Sequence, residues 1–539
     1  MLVGYVADEM YEAIHDVMIA FYRDGAHVTT VSSESTGAIR ADVDPGRFEV
    51  VLAKDGYGKK RSTIEVGEDR THDLRLLHTR PLGYVWPKWS RSGETAEYRL
   101  HTPEDTRLTL WRYGAEKELI RKVTWHDEHG PHSCLQRLPD GDFVGEGVCW
   151  NEIGYELNDP HSQTVVAPER SGLYFFHMET VGGEFFAFPW IVAPKRPQAR
   201  IAVVAATNTW NAYNSFGGRS NYVNTTGLPD RPVIEPRREL DRFQQADTWS
   251  AADEEYEPLS FERPCPFNSI SPERSATDPI RGKEAAHTAP AEWRFLSWLE
   301  RKEFGYDLYA DRQLHDGTLG LDRYDILVVH THPEYWSRAM YERVRDWVFE
   351  DGGHLLYLGG NGVNCEIEFV DETCMKVNNS THNVPDVVHP RDLPDGAYES
   401  RFHRRGESEG NLLGVVFTPS GIKTAAPFEV EEPDHWVFDG TGLEAGDRFG
   451  TGSLQERCPG GASGHETDKM SQFAPDGTQL LAEGLNPESG GAEMVLYETD
   501  SGGATFATGS ITYPAALLVD EPTSVVTENV LDRFLSRTA

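Results

Sequence analysis

From residue 198 onward the chain alternates two hydrophobic rhythms. Arg200-Ile-Ala-Val-Val-Ala-Ala206 and Ile326 to Val329 are unbroken apolar runs, as expected of parallel strands covered on both faces. Between them Ala291 to Arg301 places Trp293, Leu296 and Leu299 on one side of a helix. Ser337 is suited to cap a second helix, whose apolar positions Met340, Val344, Trp347 and Val348 fall at helical spacing. Gly352-Gly353 ends that helix, and His354-Leu-Leu-Tyr-Leu358 is a further strand. Strand, helix, strand, helix, strand predicts an open parallel sheet of the α/β class. The stretch 207–290 between the first strand and first helix is polar and rich in Pro and Gly. A connection that long is uncommon in a compact domain and is usually functional when ordered.

The N-terminal part has a different texture. Leu2-Val-Gly-Tyr-Val-Ala7, Ala26 to Val31, Arg47 to Leu52 and Ser62 to Val66 are short runs rich in β-branched and aromatic residues. Asp44-Pro-Gly46 and Lys54-Asp-Gly-Tyr-Gly58 punctuate them as turns. Thr95 to Leu100, Thr106 to Trp111 and Gly172 to Met178 alternate apolar and polar with period two. The expected architecture is multidomain: a β-sandwich over 1–78, a second over 79–195, and an α/β open parallel-sheet domain over 196–539. Pro194-Lys-Arg-Pro197 is the expected linker.

Composition changes the picture mainly by exclusion. The chain has 539 residues and a net charge of -36, from 87 acidic against 51 basic side chains. Nucleic-acid binding needs the opposite sign. Anionic membrane surfaces are disfavoured for the same reason, and no apolar run is long enough to span a bilayer. The N-terminus lacks the basic and long apolar regions of a signal peptide, so a cytoplasmic protein is expected. Six cysteines make no disulfide framework, although Cys134 and Cys149 would be able to pair if the chain were exported.

Candidate chemistry gathers where the apolar strands end. Ligands in such sheets bind outside the carboxyl ends of the strands. There the chain reads His330-Thr-His-Pro-Glu-Tyr-Trp336, with His330, His332 and Glu334 alternating. The first strand leads into Asn208-Thr-Trp-Asn-Ala-Tyr213 and the third into Leu358-Gly-Gly-Asn-Gly362. Gly460-Gly-Ala-Ser-Gly-His-Glu466 supplies another carboxylate from a glycine-rich loop. His330, His332 and Glu334 form a candidate zinc set, since imidazole suits that ion. No Gly-x-Gly-x-x-Gly, Walker, His-Glu-x-x-His or Gly-x-Ser-x-Gly motif occurs.

Asn208 to Tyr213, His332-Pro-Glu-Tyr-Trp336, Leu358 to Gly362 and Gly461 to Glu466, in that chain order, resemble the large (beta) subunit of the N,N-dimethylformamidase family, over about two thirds of the chain. That core is similar to class I glutamine amidotransferases and ThuA-like domains. Asp44 to Tyr57 resembles the carboxypeptidase-regulatory-like β-sandwich, a module that is usually accessory. The resemblance implies an iron-dependent hydrolase of a small N-substituted amide, with a mononuclear Fe3+ held by two tyrosinates and a glutamate. Carried over by position, Tyr213 and Glu334 are ligands, and the second tyrosine is Tyr256 by spacing, or Tyr222. Glu466 corresponds to the general base, His332 to a histidine beside the metal, and Asn361 to a polar residue of the pocket. A hard trivalent ion suits anionic oxygen donors, and a bound cation favours the deprotonated phenol. The turn Gly359-Gly-Asn-Gly362 lacks the cysteine that amidotransferases carry there, which argues against a thiol mechanism. The implied partners are a small-molecule amide and either a small accessory subunit or further copies of the chain. Two alternatives stay open: a non-catalytic or carbohydrate-binding relative with the same α/β core, and a zinc hydrolase using the histidine set.

Overall fold

The computed structural model describes residues 1–58, 60–68, 70–101, 105–126, 163–224, 228–234, 256–282, 284–378, 402 and 407–537. Cys134, Cys149 and the acidic run 253–255 lie outside the described residues, and with them the expected cysteine pairing.

The first 76 residues build two small sheets around one core. Leu2–Ala7 pairs antiparallel with Ala38–Arg40 and parallel with His72–Arg75. Met18–Arg23, Ala26–Ser32, Gly46–Ala53 and Lys60–Val66 form a four-stranded antiparallel sheet. Period-two alternation sends Phe48, Val50 and Leu52 inward against Ile19, Phe21 and Ile64, while Arg47 and Glu49 face solvent. The expected turn at Lys54 closes with Tyr57 N–H donating to the Lys54 carbonyl at 3.1 Å.

Two further sheets follow. Leu82–Trp86, Thr95–His101 and Gln163–Val166 form one. Lys117–His126, Thr106–Tyr113, Gly172–Thr180, Phe185–Ala193 and the short Trp89–Arg91 form the other. Their inner faces share a core that includes Leu108, Leu110, Tyr174, Phe176, Phe188 and Trp190.

The remaining chain is organised by a nine-stranded sheet. Tyr306–Ala310, Ile201–Ala205, Ile326–Thr331, His354–Gly359 and Ala504–Ala507 run parallel. Glu493–Glu498, Gln479–Gly484, Phe428–Val430 and Arg448–Phe449 continue it antiparallel. The sheet is therefore mixed, which corrects the expectation of a purely parallel one. The cause is connection length: a parallel crossover takes about a dozen residues or more. The turn between Glu498 and Ala504 is too short for one and closes with Thr499 accepting from Gly502 N–H at 3.0 Å.

Both expected helices form. Ser337 caps Arg338–Phe349, its hydroxyl accepting from Met340 N–H, and Met340, Val344, Trp347 and Val348 are buried. The helix Ala289–Arg301 differs from expectation, because Ala289 to Leu299 is buried all round rather than along one stripe. It lies between the sheet and the second β-unit. Trp293 Nε1 donates to the Gly114 carbonyl at 2.8 Å, and Glu300 pairs with Arg112. No helix among the described residues is long and apolar enough to cross a membrane.

Candidate functional site

Three parallel strands deliver their carboxyl ends to one place. Ile201–Ala205 runs into a short helix, Thr207–Tyr213, with Tyr213 as its last residue. Its first turn holds the next strand's loop: Asn208 Nδ2 donates to the Tyr335 carbonyl at 3.0 Å, and Thr209 Oγ1 to the His332 carbonyl at 2.8 Å. Glu334 N–H returns a bond to Thr209 Oγ1 at 3.3 Å. His332 and Glu334 are thereby fixed directly beyond Ile326–Thr331.

Thr331 has φ +62°, in the left-handed region that a β-branched residue rarely enters. That single residue interrupts the alternation on which the histidine reading rested. His330 turns to the other side, its ring 4.7 Å from Phe295 and its Nδ1 3.1 Å from Thr331 Oγ1. Burial pushes its pKa down to about 3, so it stays neutral. The expected His330/His332/Glu334 set is therefore not assembled. Among the described residues, Asp8, Glu9 and His78, in the first β-unit, are the group of three His, Cys, Asp or Glu residues with ligand atoms within 4.8 Å of one another.

Oxygen donors converge instead. The Tyr222 hydroxyl lies 2.9 and 3.1 Å from the two Glu334 carboxylate oxygens and 3.1 Å from the Tyr213 hydroxyl. Tyr213 in turn is 3.4 Å from Glu334 Oε2. The Tyr335 hydroxyl donates to Tyr222 at 2.6 Å and accepts from Asn221 Nδ2 at 2.7 Å. These hydrogen bonds run through Tyr222. Tyr256, favoured by spacing, is also buried, but none of these bonds reaches it. Burial first holds both phenols, Tyr213 and Tyr222, well above their ordinary range, reinforced at Tyr213 by Tyr222 and Glu334 and at Tyr222 by Glu334 and Tyr335.

His332 sits against this cluster. Its Nδ1 faces the Gly360 carbonyl at 3.0 Å, an acceptor only, so Nδ1 carries a hydrogen. Its Nε2 lies 3.0 Å from Glu334 Oε2 and 3.1 Å from the Tyr213 hydroxyl. Burial opposes charge on the ring, yet the Glu334 hydrogen bond and charge outweigh it and raise the pKa.

The third strand and the glycine-rich loop complete the wall. Asn361, at φ +52°, donates from Nδ2 to Glu466 Oε2 at 2.6 Å. Gly360 admits this approach: a Cβ there would meet the Glu466 carbonyl at 2.4 Å. Burial raises the Glu466 pKa, the His332 charge counteracts it, and the Glu334 charge reinforces it. Asp468 accepts from Asn361 N–H at 2.8 Å and from the Tyr357 hydroxyl at 2.6 Å, and burial lifts its pKa to about 7.

Tyr213, His332, Glu334, Asn361 and Glu466 thus share one site. Sequence reasoning missed Asp468, Tyr335, Cys365 and His287. The Cys365 thiol lies 3.6 Å from Glu334 Oε1, and the His287 ring is 4.7 Å from His332 and hydrogen-bonded to Arg457. Asp468 and Tyr335 were legible in principle, since Tyr335 lies inside a quoted motif and Asp468 two residues beyond one. His287 carries no local signal.

The sequence model of the family described as N,N-dimethylformamidase beta subunit-like, C-terminal, matches residues 158–525. The chain is 25% identical to the N,N-dimethylformamidase beta subunit of Paracoccus aminophilus, over 94% of this chain and 74% of that one. It is 25% identical to the protein of the same name from Alcaligenes sp, over 80% of this chain, and spans 64% of that relative's length.

Proposed function

The chain belongs to the N,N-dimethylformamidase beta subunit-like family, and from that membership we propose that it hydrolyses a small N-substituted amide of the formamide class. The observation that carries the reading is the convergence of the Tyr213, Tyr222 and Glu334 oxygens within 3.4 Å beside a buried carboxylate, Glu466. Three groups able to become anionic, buried together, call for a cation, and an all-oxygen anionic set suits a hard trivalent metal. Fe3+ fits that donor set. Tyr213, Glu334 and one further tyrosine would hold it; the cluster offers Tyr222, with Tyr256 as the competing choice. When bound, the ion would polarise the amide carbonyl and acidify a water.

The rest of the work falls to this chain's own side chains. Glu466, with its pKa raised, is suited to accept the proton of the attacking water and return it to the leaving amine. Asn361 fixes the carboxylate oxygen through which it does so. His332 is locked by Gly360, and its Nε2 is placed to steady negative charge developing on the carbonyl oxygen. The turn Gly359-Gly-Asn-Gly362 has no thiol, so the parallel half of the sheet, read as glutamine amidotransferase-like, would work without a cysteine nucleophile.

The test is the metal content and visible spectrum of the purified protein, followed by amine release from a panel of formamides and acetamides. Stoichiometric iron with a tyrosinate charge-transfer band and amide turnover supports the proposal. A protein that takes up no metal and cleaves no amide overturns it, and leaves a binding role for the α/β core. The relatives are named as subunits, so the assay is run with the chain alone and with a small accessory chain, if one co-purifies.

A further inference from the structure

We infer that the N-terminal β-unit is a working part of the site, because it clamps the loop that carries Tyr222. The loop leaves the end of the Thr207–Tyr213 helix and is gripped on both sides of Tyr222 by residues 8–13 and 75. On the near side Gly217 N–H donates to the Glu9 carbonyl at 2.6 Å. Arg75 bridges the two chains, donating to the Asp8 carbonyl at 2.8 Å and to the Gly217 carbonyl at 3.1 Å. On the far side Val233 N–H donates to the Tyr11 carbonyl at 3.0 Å, Ala13 N–H donates to the Val233 carbonyl at 2.7 Å, and the Tyr11 hydroxyl donates to the Pro229 carbonyl at 3.2 Å. The Arg75 guanidinium stacks 4.6 Å over the Tyr11 ring, and both side chains are about 1% exposed.

This contact is directional rather than merely apolar. Main-chain pairing sets a register, and a buried guanidinium held on two carbonyls loses stabilisation steeply if either moves. Gly218 is part of the fit: its φ is +90°, and a Cβ there would lie 2.4 Å from Tyr11 Cβ. The gripping segment is itself fixed. Asp8 Oδ1 accepts from Met10 and Glu12 N–H at 2.8 and 2.9 Å, and the Glu9 carboxylate is bound by His78 and Arg80. Between the two grips the loop is tied inward, Asn221 N–H donating to the Ala212 carbonyl at 2.9 Å and Asn221 Nδ2 to Tyr335. Tyr222 therefore reaches Glu334 from a loop stretched between two domains. Arg75, Tyr11 and Gly218 are positioning residues for it.

The test places 3-fluorotyrosine at position 222 alone, or at 357 alone, in the full-length protein and reads its 19F resonance. Tyr357 adjoins the site from the sheet side and is untouched by the clamp. In Arg75→Met the resonance at 222 is expected to shift and broaden while that at 357 stays put. Gly218→Ala perturbs the same contact from the other side and serves if Arg75→Met does not fold. An unchanged resonance at 222 in the folded variants overturns the clamp, as does an equal change at 357. The consequence for catalysis rests on the hydrolase reading: kcat/KM should fall about tenfold or more, since displacements of about 1 Å remote from the chemistry can cost ~100-fold. A shift at 222 with no amide turnover even in the unsubstituted protein would retain the clamp and remove the hydrolase reading.

Discussion

Replacing Glu466 by Gln separates the chemistry of the site from its architecture. The change keeps side-chain volume and removes one charge. Glu466 Oε2 accepts from Asn361 Nδ2 at 2.6 Å, and the Gln carbonyl can accept the same bond. Burial and the nearby Glu334 charge both disfavour an anion at this position, so losing the charge should leave the fold at least as stable. None of the oxygens clustered on Glu334 is touched. What is lost is a proton acceptor. General acid–base catalysis contributes roughly 10²–10⁴-fold, so ~3–5 kcal/mol should be added to the barrier. The assay is steady-state amine release, with iron content and the visible spectrum measured on the same sample. The expected result is unchanged metal and spectrum, a KM within a few-fold, and kcat lower by roughly 10²–10⁴. Full activity would remove Glu466 from the mechanism. Loss of iron together with activity would refute the division between metal-holding and proton-transferring residues.

Tyr213→Phe should fold and lose its iron and its visible band; unchanged metal content would end the ligand assignment. Tyr222→Phe and Tyr256→Phe, compared side by side, identify the second tyrosine, because only loss of the ligand should abolish the band. Observed contacts favour Tyr222, and a band that survives in Tyr222→Phe but not in Tyr256→Phe would reverse the choice. Burial pushes the Asp311 carboxyl up to about 8, and its Oδ1 has no hydrogen-bond partner among the described residues. Its pKa is higher folded than unfolded, so the folded state binds the extra proton and stability falls as pH rises from about 4 towards 8, by up to ~1.4 kcal/mol per pH unit. Asp311→Asn should flatten that slope in denaturant titrations at several pH values; an unaltered slope would show that this carboxyl does not carry it.

Local pattern made the parallel half of the sheet legible. Ile201–Ala205, Ile326–Thr331 and His354–Gly359 are fully buried, so each reads as an uninterrupted apolar run, and Ser337 announces its helix by chemistry alone. In the antiparallel half Gln479–Gly484 mixes polar and apolar residues and gives a weak signal, whereas Met494 to Tyr497 is a short apolar run buried on both faces, whose pairing direction local pattern does not fix. Its one clear signal, Thr499-Asp-Ser-Gly-Gly503 between two β-rich runs, is a hairpin cue. The all-round burial of Ala289–Leu299 was beyond local pattern, since the second face is supplied by a unit more than a hundred residues away in sequence.

The site divides in the same way. His332, Glu334 and Asn361 could be placed because they follow strand ends, where topology alone fixes position. Tyr222 and Tyr256 lie in the long connection between a strand and a helix, and there spacing along the chain does not determine distance. What brings Tyr222 to Glu334 is tertiary: a helix end on one side, and on the other a β-unit that reads in sequence as an accessory module. The histidine reading failed over a single torsion. Alternation predicts His330 beside His332, and Thr331 at φ +62° separates them. Such a conformation costs of order 1–3 kcal/mol and persists only where the surroundings impose it. Here they do: the Thr331 carbonyl accepts from Gly360 N–H at 3.2 Å, and its hydroxyl meets His330 Nδ1. The same turn that discards one imidazole brings the other, with its carboxylate neighbour, against two phenols. A cluster dominated by oxygen rather than nitrogen is thus a consequence of backbone geometry that side-chain identity could not announce.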